Sequence, residues 1–173
     1  MSNLKRLLPA LLLFLTACNF PMQGIITPPS SHSGNCYFVE SRQKLPELSQ
    51  KVNQALQAMD SNATGRAYAY GEDCVYEDGS RVFHAMETDF PVQIQVKDIH
   101  DEKALGDWIY KVMQALQELP PDQVPGGQSG RVEFQFVQNE SETLNLIVQI
   151  GRYQREAGGL KGTELFQFFS QNH

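Results

Sequence analysis

Residues 90–119 read FPVQIQVKDIHDEKALGDWIYKVMQALQEL, and a change of period inside them decides the fold class. Phe90, Val92, Ile94 and Val96 alternate with Pro91, Gln93, Gln95 and Lys97, the pattern of a strand with one face buried. Leu105, Trp108, Ile109, Val112, Met113, Leu116 and Leu119 then recur at three- and four-residue steps, the stripe of an amphipathic helix. Asp101 and Glu102 suit the helix dipole at its start, and Pro120-Pro121 forbids its continuation. A half-buried strand handing over to a one-faced helix calls for a sheet with a helix laid across it.

The same alternation continues on both sides. Downstream, Val132, Phe134 and Phe136 alternate with Glu133, Gln135 and Val137, and Leu144, Leu146, Val148 and Ile150 repeat the pattern after the turn Asn139–Glu142. Together they predict a hairpin. Gly158-Gly159 breaks the chain, and Thr163–Phe169 forms a short terminal helix capped by Thr163 and docked through Phe166, Phe168 and Phe169. Upstream, Asp78-Gly79 is a turn joining a strand within Thr64–Glu77 to Arg81–Met86. On the first of these, Tyr68, Tyr70 and Tyr76 share a face, which is expected to pack or lie partly buried against the core under a helix, the alternative being that it lines an open face that binds something. Met86–Asp89 fits a bulge or the start of the next strand. Leu45, Leu48, Val52, Leu56 and Met59 mark a helix ended by Asp60-Ser61-Asn62, and Cys36–Glu40 a short opening strand.

The fold class is therefore α+β: a twisted antiparallel sheet with two main helices packed on one face and a short C-terminal helix. Residues 44–97 and 101–151 echo each other as a possible α-β-β repeat. The other sheet face would carry Gln93, Gln95, Lys97, Glu133, Gln135, Asn145, Gln149 and Arg152, polar residues that suit a wet surface.

The amino-terminal residues follow a different logic. Lys5 and Arg6 precede an apolar run from Leu7 to Leu15, and Thr16 and Ala17 lead into Cys18. That is the layout of a secretory signal, and the run is far shorter than the ~20 residues that span a bilayer. Leu15-Thr16-Ala17-Cys18 resembles the lipobox of bacterial lipoproteins. The resemblance implies diacylglycerol transfer to the Cys18 sulfur, cleavage before Cys18 and acylation of the new amino terminus with palmitate-type chains. Multiple acyl chains hold a protein stably on a bilayer. Asn19 stands where an Asp would resemble the inner-membrane retention signal of two-membrane bacteria. The expected organisation is a signal peptide over 1–17, a lipidated tether over 18–35 rich in Pro and Ser, and one α+β domain over 36–173. The location that follows is the extracytoplasmic face of a cell membrane.

The whole chain carries a formal charge of −6, and loss of Lys5 and Arg6 leaves 12 basic and 20 acidic residues, or −8. Such a surface excludes nucleic acid as a partner, because phosphates need Lys and Arg to neutralise them. With Cys18 lipidated, Cys36 and Cys74 remain as an even pair in an oxidising compartment, where a disulfide is the expected state. No CxxC spacing points to redox or metal chemistry.

Catalytic motifs are missing: there is no GxSxG and no HExxH, and the glycine-rich residues 126–130 lead into a strand without a following Lys. The one cluster of titratable residues is His84, Glu87, Asp89, His100 and Asp101, types that supply metal ligands or a general acid and base. The sequence thus points to a membrane-anchored, non-catalytic binding or scaffolding module without a cofactor. Its partners would be the membrane, through lipid on Cys18, and an unidentified envelope protein or ligand. The alternative is an envelope enzyme or enzyme accessory that uses His84, Glu87, Asp89 and His100.

Overall fold

Strand β4 (Arg81–Gln95) is the axis of the molecule, in a computed structural model that describes residues 35–171. The expected signal peptide over 1–17, Cys18 and all but residue 35 of the expected tether lie outside the described residues. β4 pairs with β3 (Tyr68–Tyr76) along its first part and with the two-residue β2 (Thr64–Gly65) and β5 (Arg131–Val137) along its second. β1 (Cys36–Lys44) and β6 (Thr143–Gln149) form the edges, giving the order β1-β3-β4-β5-β6 with β2 also on β4. The fold is α+β: among the described residues, a mixed sheet of six strands with four helices.

One pair departs from the expected antiparallel sheet: β4 and β5 run parallel. Between them the chain travels back through α2 (Glu102–Gln117), and a helical crossover returns the chain to the end where the previous strand began. Each of the two longer helices is followed by a hairpin, α1 (Pro46–Gln57) by β3–β4 and α2 by β5–β6, as the α-β-β echo anticipated.

The core follows the periodicities. Phe90, Val92 and Ile94 of β4 lie in register with Val132, Phe134 and Phe136 of β5, and all six are buried. Leu48, Val52 and Leu56 of α1 and Leu105, Ile109, Val112 and Met113 of α2 close over this face in one cluster. Asp101 caps α2, its side chain accepting from Ala104 N at 3.0 Å. Between β2 and β3, Ala67 leaves the ladder and its backbone is satisfied by Ser49: Ala67 N donates to Ser49 Oγ at 2.9 Å, and Ser49 Oγ donates to Ala67 O at 3.2 Å.

The carboxyl-terminal part differs from expectation in two ways. Ile150 ends the alternation and starts α3 (Ile150–Arg152), which runs on as a π-helical turn, Tyr153–Ala157. This takes Arg152 off the sheet face and lays its guanidinium 4.4 Å from the Phe168 ring centre. The turn also buries Tyr153, whose hydroxyl accepts from Gln114 Nε2 at 3.2 Å; burial pushes its phenol above the usual pKa, and the Gln114 bond opposes that. Helix α4 (Gly162–Ser170) starts earlier than Thr163 and has no side-chain cap; Thr163 sits inside its first turn. Phe166 and Phe169 dock it, buried in the core.

Gly106 on α2 and Gly162 at the start of α4 bring the two backbones together. A Cβ on Gly106 would stand 1.8 Å from Gly162 O.

Candidate functional site

The sheet face turned away from the helices is where the polar side chains collect. Strand parity puts Pro91, Gln93 and Gln95 of β4, Glu133 and Gln135 of β5, and Asn145, Ile147 and Gln149 of β6 on it, opposite the buried residues of the same strands. Tyr68 and Tyr70 lie on it as well, half-buried, while their neighbours Ala67, Ala69 and Gly71 face the core. The tyrosines therefore take the alternative position, partly buried on the open face, and the small residues between them point to the helix side.

β4 keeps one face across its length only with a correction. Tyr70 pairs with Glu87 but Gly71 pairs with Ala85, so Met86 is an extra residue, a bulge. An odd spacing would send His84 and Glu87 to opposite faces; the bulge restores both to the open face, opposite Glu72 and Tyr70 respectively. Gly71 sits at this irregularity, where a Cβ would meet His84 O at 2.0 Å.

The residues after the bulge are tied to the loop before β5. Gln128 N donates to Met86 O at 2.9 Å, and Thr88 Oγ1 donates to Pro125 O at 2.6 Å. A Cβ on Gly130 would stand 2.1 Å from Thr88 O, so the close approach of loop and strand requires glycine there. This docking sets Arg131 beside Asp89. Arg131 N donates to Asp89 Oδ1 at 3.2 Å, and Arg131 Nε lies 3.5 Å from Asp89 Oδ2 and 3.1 Å from Glu133 Oε1. Glu133 Oε2 is 3.9 Å from Arg42 Nη2, and the Arg42 guanidinium covers the Tyr68 ring at 4.1 Å. One chain of charge thus crosses β4, β5, β3 and β1. Nearby, the Glu40 carboxylate accepting from Tyr70 holds that phenol above its ordinary pKa, helped by partial burial and the charge of Glu87 and opposed by Arg131.

Asp89 is the buried member, 1 % exposed. Asp89→Ala is expected to cost about 2 kcal/mol, since it leaves the Arg131 backbone N–H without its acceptor and removes one of the two acids beside the guanidinium. Thermal denaturation beside the exposed control Asp122→Ala measures this; equal losses in the two variants would show that the pair contributes nothing.

Next to this network the open face hollows into a groove of about 490 Å³. Its floor is built from Gln93, Glu133, Gln135 and Asn145, with Arg42, Arg66 and Tyr68 along one side. A second hollow, of about 370 Å³, lies under residues 126–130 against Met113 and Leu116 of α2.

The sequence-derived candidates separate. His84, Glu87 and Asp89 share the open face of β4, but Asp89 is engaged by Arg131. His84 and Gln95 stand roughly 35 Å apart along an extended strand, and His100 comes five residues later, in the exposed turn where its N–H donates to Asp98 Oδ1. Asp101 is the α2 cap. Among the described residues no group of three His, Cys, Asp or Glu side chains is placed to hold a metal ion. Cys36 and Cys74 form a disulfide with Cα atoms 5.3 Å apart. Arg42, Arg66 and Arg131 escaped sequence reasoning, although the glycine before Arg131 and the even spacing of Arg66, Tyr68 and Tyr70 carried a signal. No helix among the described residues is long and apolar enough to cross a membrane. No protein-family model, curated protein or solved structure matches the chain.

Proposed function

We propose that this chain is a lipid-anchored extracytoplasmic binding module that presents the open face of its sheet to a ligand or envelope partner. The groove on that face carries the reading: hydrogen-bonding side chains line a concavity, while the opposite face is filled by helices. A structural disulfide suits an oxidising compartment, as the lipobox resemblance requires. Acylation at Cys18 would hold the module on the membrane, with residues 19–35 as the spacer.

Two measurements test this. Intact mass of protein purified from its native membrane is expected to fit residues 18–173 plus acyl chains, and to gain two hydrogens on reduction; an unlipidated mass sinks the anchor. A photo-crosslinking residue at Gln135, in the groove, is expected to form an adduct in intact cells that the same residue at Gln57 on α1 does not. Equal labelling at both positions would remove the open face from consideration.

A further inference from the structure

We infer that the groove binds an oligosaccharide carrying a single carboxylate; this rests on the reading of the open face as a binding surface. The registers place Thr64 opposite Gln93, Gln93 opposite Gln135, and Gln135 opposite Asn145. These four side chains form one row across four strands, neighbours standing ~5 Å apart at Cβ. All four are exposed, and none makes a side-chain hydrogen bond with another described residue. Each bears both a donor and an acceptor and none ionises, so the row suits a chain of groups that also donate and accept without charge. Sugar hydroxyls have this chemistry.

The alternatives fit less well. An extended peptide gains its affinity from free backbone at a sheet edge; β4 and β5, in the middle of the row, have both backbone edges engaged in ladders there, so a peptide would pair along the edge strand β6 rather than lie across the row. An apolar ligand needs a mostly apolar lining, whereas here polar and apolar surface share the groove about equally, with amides and a carboxylate on the floor and guanidinium groups at the side. Pro91 and Ile147, the latter 38 % exposed, give the groove apolar surface for the C–H faces of a sugar ring.

Charge assigns the carboxylate. Arg42 and Arg131 both share Glu133, but the Arg66 guanidinium has no acid partner among the described residues, its backbone N–H alone being tied, to Pro91 O at 3.0 Å. It stands at the Thr64 end of the row, next but one in sequence. A guanidinium takes a carboxylate bidentately. The chain's net charge of −6 repels a polyanion, so a ligand with one acid group is the complementary one.

The purified full chain in detergent, with its lipid, is applied to an array holding neutral, mono-carboxylated and polyanionic oligosaccharides, and retained sugars are titrated by calorimetry. Retention of mono-carboxylated members is expected. Arg66→Gln should weaken binding about tenfold or more, as loss of a charge-assisted pair does. Gln135→Ala should weaken neutral and acidic members alike. Both positions are exposed, so an unchanged melting temperature certifies the variants. The inference is overturned if no sugar is retained, if heparin binds best, or if Arg66→Gln leaves affinity unchanged. If no sugar is retained while Gln135 still crosslinks in cells, the saccharide falls and the binding face stands; if both fail, both readings fall.

Discussion

Gly106→Ala is expected to prevent α2 and α4 from packing as they do, lowering stability by more than the roughly 1–3 kcal/mol of ordinary overpacking. On a free helix the same change would stabilise by about 1 kcal/mol, because alanine is the better helix former. The sign is decided by what a methyl meets. The new Cβ would lie 1.8 Å from Gly162 O, 2.5 Å from Gly162 C and 3.0 Å from Gly162 Cα, and main-chain atoms cannot rotate aside as a side chain can. Gly162 has φ +53°, which leaves that segment little freedom to retreat. Helix α4 would have to lift, exposing Leu165, Phe166 and Phe169. Gly127→Ala, where a Cβ meets nothing within 4 Å, should fall within about 0.5 kcal/mol of the parent. Urea unfolding of the two variants decides: an unchanged midpoint for Gly106→Ala would mean that the helices are not in this contact.

Removing the disulfide is the second large effect. Cys36 and Cys74 are separated by 38 positions, and a loop of that size carries a closure entropy of about 4 kcal/mol at 25 °C. The paired variant Cys36→Ser, Cys74→Ser should therefore melt lower by on the order of 10 °C. The unfolded chain gains that freedom whatever the native contacts are. In the native state the loss concentrates on β1, none of whose residues belongs to the buried core cluster. Hydrogen exchange along Tyr37–Lys44 should accelerate more than along β5. A melting temperature within a few degrees of the parent would show that the bond adds little to the fold.

The sequence made local periods plain and long-range pairings obscure. Val132, Phe134 and Phe136, or Leu105, Ile109 and Val112, reveal their buried faces because burial imposes period 2 or 3.6. Parallel pairing of β4 with β5 leaves no such mark; it depends on where α2 returns the chain. The bulge at Met86 was one of two readings of Met86–Asp89, since one inserted residue looks as much like a break between two strands as a phase shift within one. The site was half legible. The polar row Gln93, Gln135 and Asn145 follows from alternation, but the Asp89–Arg131–Glu133–Arg42 chain depends on docking of residues 125–130 against β4. For Tyr68 and Tyr70 alternation gives a shared face but not which one: aromatic residues favour cores, and only the pairing with β4 puts them on the open side. Arg152 left the sheet because Ile150 ends β6 by turning helical, which apolar alternation alone cannot announce.

Strand β1 has one further consequence. Among the described residues it pairs only with β3, so toward them its outer edge offers backbone N–H and C=O groups without a ladder partner, beside Tyr37 at 75 % and Phe38 at 65 % exposure. Such an edge is a template for self-assembly into extended sheets, and natural proteins blunt it with charge. Here the protection is uneven: Glu40, Arg42 and Lys44 act as gatekeepers over the second half, while the aromatic first half relies on the bond at Cys36 to hold it against β3. The bridge thus guards solubility as well as stability, keeping a sticky edge from reaching its own copies.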